Sequence, residues 1–155
     1  MFRKMRRSDR LMAEIDTAVL LDNVQYGVLS TVGKDSNPNG VPISFVYMNN
    51  AIYLHCATEG EKLDNIITNN RVCFTVVDAV EVLPAAFSTK YKSAVVFGEA
   101  AVVENPEEKR SALTGFIKKY SPEFYEAGLQ YIDNAFEKTK VLKIVVRNMT
   151  GKARS

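Results

Sequence analysis

The alternation of apolar and polar residues along the chain predicts a protein built mainly from β-strands. Short apolar runs are separated by segments rich in Gly, Asn, Asp, Ser and Pro, which favour turns. Asn49 and Asn50 can supply the positive φ angles of a tight hairpin turn. Because such turns join antiparallel neighbours, we expect an antiparallel barrel or a strongly bent sheet. The expected strands are Tyr26–Val32, Val41–Tyr47, Ala51–Cys56, Arg71–Val82, Tyr91–Val103 and Thr139–Arg147.

Three or four helices are expected to flank this sheet. Ser8 is a plausible N-cap for a first helix that runs to about Asp22, since the apolar residues from Leu11 onward follow helical spacing. The segments Glu61–Asn69 and Pro106–Tyr120 and a stretch from Ser121 towards Phe136 are the further helix candidates. Gly98 is expected to mark a bulge or a close approach of two backbones, and residues 148–155 are expected to form a tail.

Composition indicates one globular domain over residues 1–155. The chain is 46% hydrophobic and 25% charged, and it has no apolar run of membrane-spanning length. No apolar signal-peptide core follows the basic N-terminus, so we expect a cytoplasmic protein. Cys56 and Cys73 form no CxxC pair and are expected to be reduced, buried thiols. With only one histidine, the chain offers no zinc-ligand set.

The charge is concentrated at the N-terminus. Residues 1–10 carry five basic side chains and one acid, while the whole chain has a net charge of only +2. Such an arm is compatible with nucleic-acid binding that collapses with salt. No basic, aromatic-studded stripe continues into the rest of the chain, so we expect no nucleic-acid partner. A solvated arm, or one that docks on a neighbouring subunit or an anionic cofactor, fits the sequence better.

The segment from Ala51 to Val77 predicts an anion site. A strand that ends at Cys56 is followed by the polar turn 57–60 and by a helix whose first turn holds Lys62. The first N–H groups of a helix lack internal partners, and the helix dipole favours negative charge there. Together with the Thr58 hydroxyl, these groups suit a phosphate. The segment matches neither a Walker loop nor the GxGxxG fingerprint.

Seven segments in order along the chain resemble one protein family. They are MRRSDR (5–10), YGVLSTVG (26–33), GVPISFVY (40–47), IYLHCATEGEKLDNI (52–66), YKSAVVFGEA (91–100), KRSALTGFIKKYSP (109–122) and TGKAR (150–154). With them the chain resembles the small FMN-binding split-barrel proteins related to pyridoxamine 5′-phosphate oxidase. Within that group it is most similar to the nitroimidazole-resistance (Nim-type) branch.

This resemblance implies a fold and a set of cofactor contacts. The fold would be a six-stranded antiparallel split β-barrel with flanking helices, paired into a homodimer that holds FMN between its subunits. The second strand would run along the isoalloxazine ring, and the turn after the third strand would hold the phosphate. The residues implied to bind the cofactor are Val41, Pro42, Ile43, Ser44, His55, Cys56, Ala57, Thr58, Lys62, Ser93 and Arg154.

His55 and Glu61 are the two positions of this segment at which the chain suggests a catalytic role or departs from its relatives. His55, the only histidine, is the candidate catalytic group, because an imidazole can exchange a proton beside a flavin near neutral pH; a purely structural role in bonding to backbone or phosphate is the alternative. The chain has Gly60-Glu61-Lys62 where relatives commonly have Gly-His-Lys. A carboxylate beside a phosphate disfavours binding unless it points outward, and we expect Glu61 to do so.

The resemblance implies an FMN-dependent oxidoreductase, similar to a flavin reductase or nitroreductase. NADH or NADPH would reduce the flavin, and a small planar molecule would accept the electrons. Three alternatives remain open: a flavin carrier or sensor without turnover, the same barrel holding FAD, haem or a deazaflavin, and nucleic-acid binding through residues 1–10. For Tyr26, Tyr47, Tyr53 and Tyr91 we expect packing roles, with lining of the flavin cleft as the alternative.

Overall fold

Seven strands form one antiparallel sheet in the computed structural model, which describes residues 1–155. The order across the sheet is β2-β1-β5-β6-β7-β4-β3, so that β2 and β3 are its two edges and no pairing closes it. The strands are β1 (Tyr26–Val32), β2 (Pro38–Ser44), β3 (Val46–Met48), β4 (Ala51–Cys56), β5 (Arg71–Leu83), β6 (Ser88–Val102) and β7 (Lys140–Arg154).

The sheet is strongly bent because its two edge strands are consecutive in the chain. Only Phe45 separates the end of β2 from the start of β3, although five strands lie between them in the sheet. The sheet must therefore curl until its edges approach each other. The predicted strand Val41–Tyr47 is divided at Phe45 for this reason, and the structure has seven strands where six were expected.

Four α-helices accompany the sheet, namely α1 (Glu14–Asn23), α2 (Glu61–Thr68), α3 (Pro106–Tyr120) and α4 (Tyr125–Ala135). Asn105 caps α3, since its side-chain oxygen accepts hydrogen bonds from two amides of the first turn at 2.9 and 3.0 Å. Asn49 and Asn50 adopt the expected positive φ angles, 53° and 54°. None of the helices combines the length and hydrophobicity that crossing a bilayer would require.

Two predicted boundaries were wrong because of pairing at the N- and C-terminal segments. The first α-helix begins at Glu14 and not after Ser8, because Leu11 forms a β-bridge with Lys152 and the Met12 N–H donates to the Gly151 carbonyl at 2.9 Å. Residues 8–10 form only a short 3₁₀ turn. The expected tail after Arg147 is the second half of β7, which continues the ladder with β6 to Arg154.

The bulge expected at Gly98 is confirmed. The register between β6 and β7 shifts between Phe97 and Gly98. A Cβ at this position would collide with the carbonyl oxygen of Val145, so the close approach of the two backbones requires glycine.

Two hydrophobic clusters lie on opposite sides of the curved sheet. The larger one fills its concave side, where α1 and α2 add Leu20, Leu21, Leu63 and Ile66. The smaller one lies between α3, α4 and the convex side of β3, β4 and the first part of β7. The larger cluster therefore covers the concave, inner face of the sheet, and the smaller one covers part of the convex, outer face. The outer face of β1, β5 and β6 is covered by neither cluster.

Tyr120 and Lys119, at the end of α3, hold the point at which β2 becomes β3. The buried Phe45 N–H donates to the Tyr120 hydroxyl oxygen at 3.0 Å, and that hydroxyl lies 2.6 Å from the Gln25 carbonyl. The Lys119 ammonium donates to the Phe45 carbonyl at 3.1 Å and lies 3.9 Å from the centre of its ring. These bonds replace the ladder bonds that Phe45 cannot make.

Tyr120→Phe is expected to lower the free energy of unfolding by about 1–3 kcal/mol, because it leaves the Phe45 N–H without an acceptor. Urea denaturation would measure the loss. The matched control is Tyr125→Phe, which removes a half-buried hydroxyl of α4 that has no part in these bonds. Equal stabilities of the two variants would show that Tyr120 does not hold this point.

Candidate functional site

The start of α2 has the features of an anion site. Gly60 precedes the helix with a φ of 142°, a conformation that L residues rarely adopt. Its carbonyl accepts the N–H groups of Leu63 and Asp64 at 3.0 and 3.2 Å. The amides of Glu61 and Lys62 have no acceptor within the protein. Since the helix dipole adds positive potential at this end, the turn offers two free donors to an anion.

Packing of α2 against the sheet fixes the position of these amides. Leu63 and Ile66 are buried in the larger cluster on the concave side of the sheet, here called the inner cluster. Asn65 donates a buried hydrogen bond at 3.0 Å to the Thr31 hydroxyl of β1. The helix is amphipathic and anchored at its centre, so its N-terminus is held against the end of β4.

Glu61 and Lys62 lie on different sides of α2. Glu61 lines a polar groove together with Asp64, Thr68 and the turn between β1 and β2. Lys62 is close enough to Cys56, at the end of β4, to offset in part the burial that raises the pKa of this thiol. The cation is therefore near the polar turn after β4, and the carboxylate belongs to another surface.

The alternation of side chains along β4 separates His55 from its neighbours. Leu54 and Cys56 pack with the inner cluster, whereas His55 is on the outer face. Its ring meets Phe116 of α3 edge-on, with 4.6 Å between ring centres, and the residue as a whole remains exposed. Burial lowers the pKa of His55, and no carboxylate opposes this effect.

A small cavity of about 120 Å³ adjoins His55. Its wall is apolar except for the imidazole, a tyrosine hydroxyl and a threonine. The lining residues are His55, Leu113, Phe116, Ile117, Tyr131, Ile132, Ala135 and Thr139. The histidine thus faces the helical layer and not the concave side of the sheet.

The outer face of the sheet brings together four of the eleven residues implied to bind the cofactor. Pro42 and Ser44 on β2 pair with Val28 and Tyr26 of β1, and this face continues across β5 to Ser93 on β6 and to Arg154 on β7. The side chains of Val41 and Ile43 point the other way, since Val41 pairs with the fully buried Leu29 and Ile43 packs on the inner cluster.

This outer face is apolar and exposed, a feature that the sequence analysis missed. Val77 and Tyr26 are 57% and 61% exposed, and Phe97 is 39% exposed. Beyond them the β5–β6 hairpin projects with Val80, Val82 and Phe87, which is 97% exposed. The period-two spacing of these residues was visible in the sequence, but only the register shows which side of the sheet they share.

The other residues singled out in the sequence are placed as follows. Cys56 and Cys73 are free thiols, as expected. Both are only half-buried, whereas the sequence predicted that they would be buried. Of the tyrosines, Tyr53 is buried and packs in the smaller cluster, Tyr47 and Tyr91 are half-buried, and Tyr26 is exposed on the outer face. Ala57 and Thr58 are exposed in the turn after β4.

Fold and site together define a mainly β protein with a bent antiparallel sheet, an open outer face and a turn with two free amides at the start of α2. A family model described as pyridoxamine 5′-phosphate oxidase matches residues 14–153. The chain therefore belongs to the pyridoxamine 5′-phosphate oxidase family. A search of curated proteins gave no match.

Several solved structures share this fold. A putative 5-nitroimidazole antibiotic resistance protein from Bacteroides thetaiotaomicron is 28% identical over 92% of this chain and 86% of its own, with a TM-score of 0.80. The FAD and heme binding protein from Mycobacterium smegmatis is 22% identical over 92% and 72%, with a TM-score of 0.78. The flavocytochrome Anf3 from Azotobacter vinelandii is 18% identical over 99% and 73%, with a TM-score of 0.82.

The environment of His55 predicts that its pKa lies below the ordinary value of 6.5, because partial burial against Phe116 disfavours the imidazolium. As His55 is the only histidine, one NMR titration of its ring protons gives the value directly. Phe116→Leu should raise the pKa towards 6.5 by opening the ring to water. Phe124→Leu, at an exposed phenylalanine before α4, is the control; a wild-type pKa at or above 6.5 would contradict the prediction.

Proposed function

We propose that this protein is a flavin-dependent oxidoreductase that works as a homodimer and binds FMN. The observation that carries the proposal is the start of α2, where two free amides and Lys62 meet the turn after β4. Membership of the pyridoxamine 5′-phosphate oxidase family supports it. Bound flavin supplies the redox chemistry, and the protein supplies binding, orientation and electrostatics.

The residues fit a flavin in two places. Thr58, Lys62 and the backbone from His55 to Ala57 would hold the phosphate at the start of α2. The segment Val41–Ser44 would carry the ring: β2 is an edge strand that pairs only with β1, so its outer edge has backbone donors and acceptors to offer. Ser93 and Arg154 lie on the outer face shared with Pro42 and Ser44, and we assign them to the flavin of the partner subunit.

His55 is the proposed proton-transfer residue, with a preferred direction of transfer. Because burial holds its pKa below the ordinary 6.5, the imidazole is mainly neutral at pH 7, and we therefore assign it the role of proton acceptor.

The proposed electron donor is NADH or NADPH, and the proposed acceptor is a small planar molecule. The similarity to the Bacteroides protein makes a nitroaromatic the first acceptor to test. The Mycobacterium protein is named for binding FAD and heme, so FAD is the alternative cofactor to compare with FMN. A protein that binds FMN but is not bleached anaerobically by NADH or NADPH would be a flavin carrier or sensor.

The outer face supports the proposed homodimer. Its apolar residues are contiguous across β1, β5 and β6 and continue into the projecting hairpin. An exposed apolar surface of this kind marks an interaction site in a water-soluble protein. A second copy of the chain would cover it and would enclose the residues that we assign to the flavin.

Purified protein is expected to take up FMN and to keep a two-banded yellow spectrum through gel filtration. Lys62→Gln should weaken FMN binding by about tenfold or more, because a charge-assisted bond to the phosphate is lost. Riboflavin, which has no phosphate, should bind both proteins equally. Lys118→Gln, at an exposed lysine of α3, is the control. A protein that takes up no FMN would refute the proposed function.

Val77→Asp is expected to weaken the dimer by at least about tenfold, since it buries a carboxylate in an apolar interface. Analytical ultracentrifugation over a range of concentrations would measure the dissociation constant. FMN affinity should fall with it if the cofactor lies between subunits. Phe124→Asp, in the turn before α4, should leave the dimer intact. A wild-type protein that is monomeric at all concentrations would contradict the interface.

A further inference from the structure

A group of cations that the proposed phosphate site does not use lies at the end of β6 and β7. Lys152 pairs with Ser93, Arg154 pairs with Tyr91, and all four side chains share the outer face. The Lys152 ammonium lies 5.6 Å from the centre of the Tyr91 ring. Polar interaction with Lys152, and more weakly with Arg10, lowers the pKa of Tyr91, so Arg10 belongs to the same group.

Arg10 is held at this place by the backbone on both sides of it. The Arg10 N–H donates to the Arg7 carbonyl at 3.0 Å within the 3₁₀ turn, and the next residue, Leu11, is bridged to Lys152. Further towards the N-terminus, Phe2 stacks on Phe97 of the outer face with 5.3 Å between ring centres. The basic arm therefore lies along β6 and β7 and is not a free solvated tail.

The positive charge of this group is not neutralised within the protein. None of the five ion pairs of the structure includes Arg10, Lys152 or Arg154. Asp9 is the carboxylate next in sequence to Arg10 and interacts with it, but the Arg7 guanidinium already binds both Asp9 oxygens at 2.6 and 2.8 Å. Three cations that form no ion pair of their own, beside one carboxylate already bound by Arg7, favour an anionic ligand.

We propose that Arg10 and Lys152, with Tyr91 beside them, bind a phosphate group of an adenine nucleotide, at a site separate from the phosphate turn of α2. The choice of an adenine nucleotide rests on the proposed function, because a flavin oxidoreductase meets two such phosphates: the diphosphate of FAD and the 2′-phosphate of NADPH. This site lies on the outer face of β6 and β7 next to Ser93, whereas the proposed FMN phosphate site lies at the start of α2.

Isothermal titration of the full chain with three probes tests the site without any flavin. Adenosine 5′-diphosphate stands for the FAD diphosphate, adenosine 2′-phosphate stands for NADPH, and adenosine lacks a phosphate. We expect one of the two phosphorylated probes to bind at least tenfold more tightly than adenosine, and its identity tells which source the site serves. Equal binding of all three probes would overturn the proposal.

Arg10→Gln and Lys152→Gln should each remove about tenfold of that preference, as expected for the loss of one charge-assisted contact. Lys92→Gln is the matched control, since Lys92 is next to Tyr91 on β6 with its side chain on the opposite face. A preference that survives both variants, or that falls equally in Lys92→Gln, would overturn the assignment to this group.

The absorbance of Tyr91 supplies an independent readout. Bound phosphate should raise the pKa of the phenol, seen as the difference between wild type and Tyr91→Phe during alkaline titration. A pKa that does not respond to the bound probe would place the probe elsewhere and overturn the site. If the protein takes up no FMN but shows the phosphate preference, the proposed function fails and the phosphate site stands. If FMN binds and the preference is absent, the reverse holds.

Discussion

The passage of the chain through Phe45 is the constraint on which the arrangement of the sheet depends. A strand that leaves one edge of a sheet and enters the opposite edge cannot keep its ladder bonds at the crossing residue. Phe45 is fully buried, so its backbone groups cannot turn to water. Tyr120 and Lys119 supply the missing partners from α3, which packs on the outer side of the same region. The curvature of the sheet and the position of the helical layer are thus linked at one residue.

That curvature determines which surfaces remain open. The inner face is filled by side chains of the strands and by α1 and α2, and α3 and α4 cover the outer face only over β3, β4 and part of β7. The outer face of β1, β5 and β6 is therefore left without a covering helix, and Phe2 of the N-terminal arm contacts it at Phe97. Since β2 is an edge strand beside it, backbone donors and an apolar surface occur together there. This combination suits a flat aromatic ligand enclosed by a second protein surface.

Local patterns predicted most strands well because burial alternates within a few residues. Tyr26–Val32 and Ala51–Cys56 were placed with the correct bounds, and the turn at Asn49-Asn50 follows from their tolerance of positive φ. The break at Phe45 was missed because the apolar run continues through it without a polar signal. The start of α1 was missed because Leu11 and Met12 bond to residues about 140 positions later in the sequence, a preference that no local window contains.

The sequence predicted which residues lie at the candidate site, but not which way their side chains face. Spacing alone placed Thr58 and Lys62 around the start of a helix, which the structure supports with two free amides. The facing of His55 depends on which side of β4 is covered, and that is decided by α3, more than fifty residues later. Likewise, Arg10 and Lys152 are joined only by the pairing of the N-terminal segment with β7.

The departure at Glu61 illustrates how one helix can carry opposite charges without cancelling them. Successive residues of an α-helix are rotated by about 100°, whereas residues three and four apart share a side. Glu61, Asp64 and Thr68 therefore line one groove, and Lys62 is turned towards the end of β4. Both carboxylates lie in the first turn, where the dipole stabilises them, and they do so without occupying the donors of Glu61 and Lys62. A histidine at position 61 would remove negative charge from the groove side of α2. The glutamate therefore affects the anion site mainly through the electrostatic potential, and less through the contacts that an anion would make there.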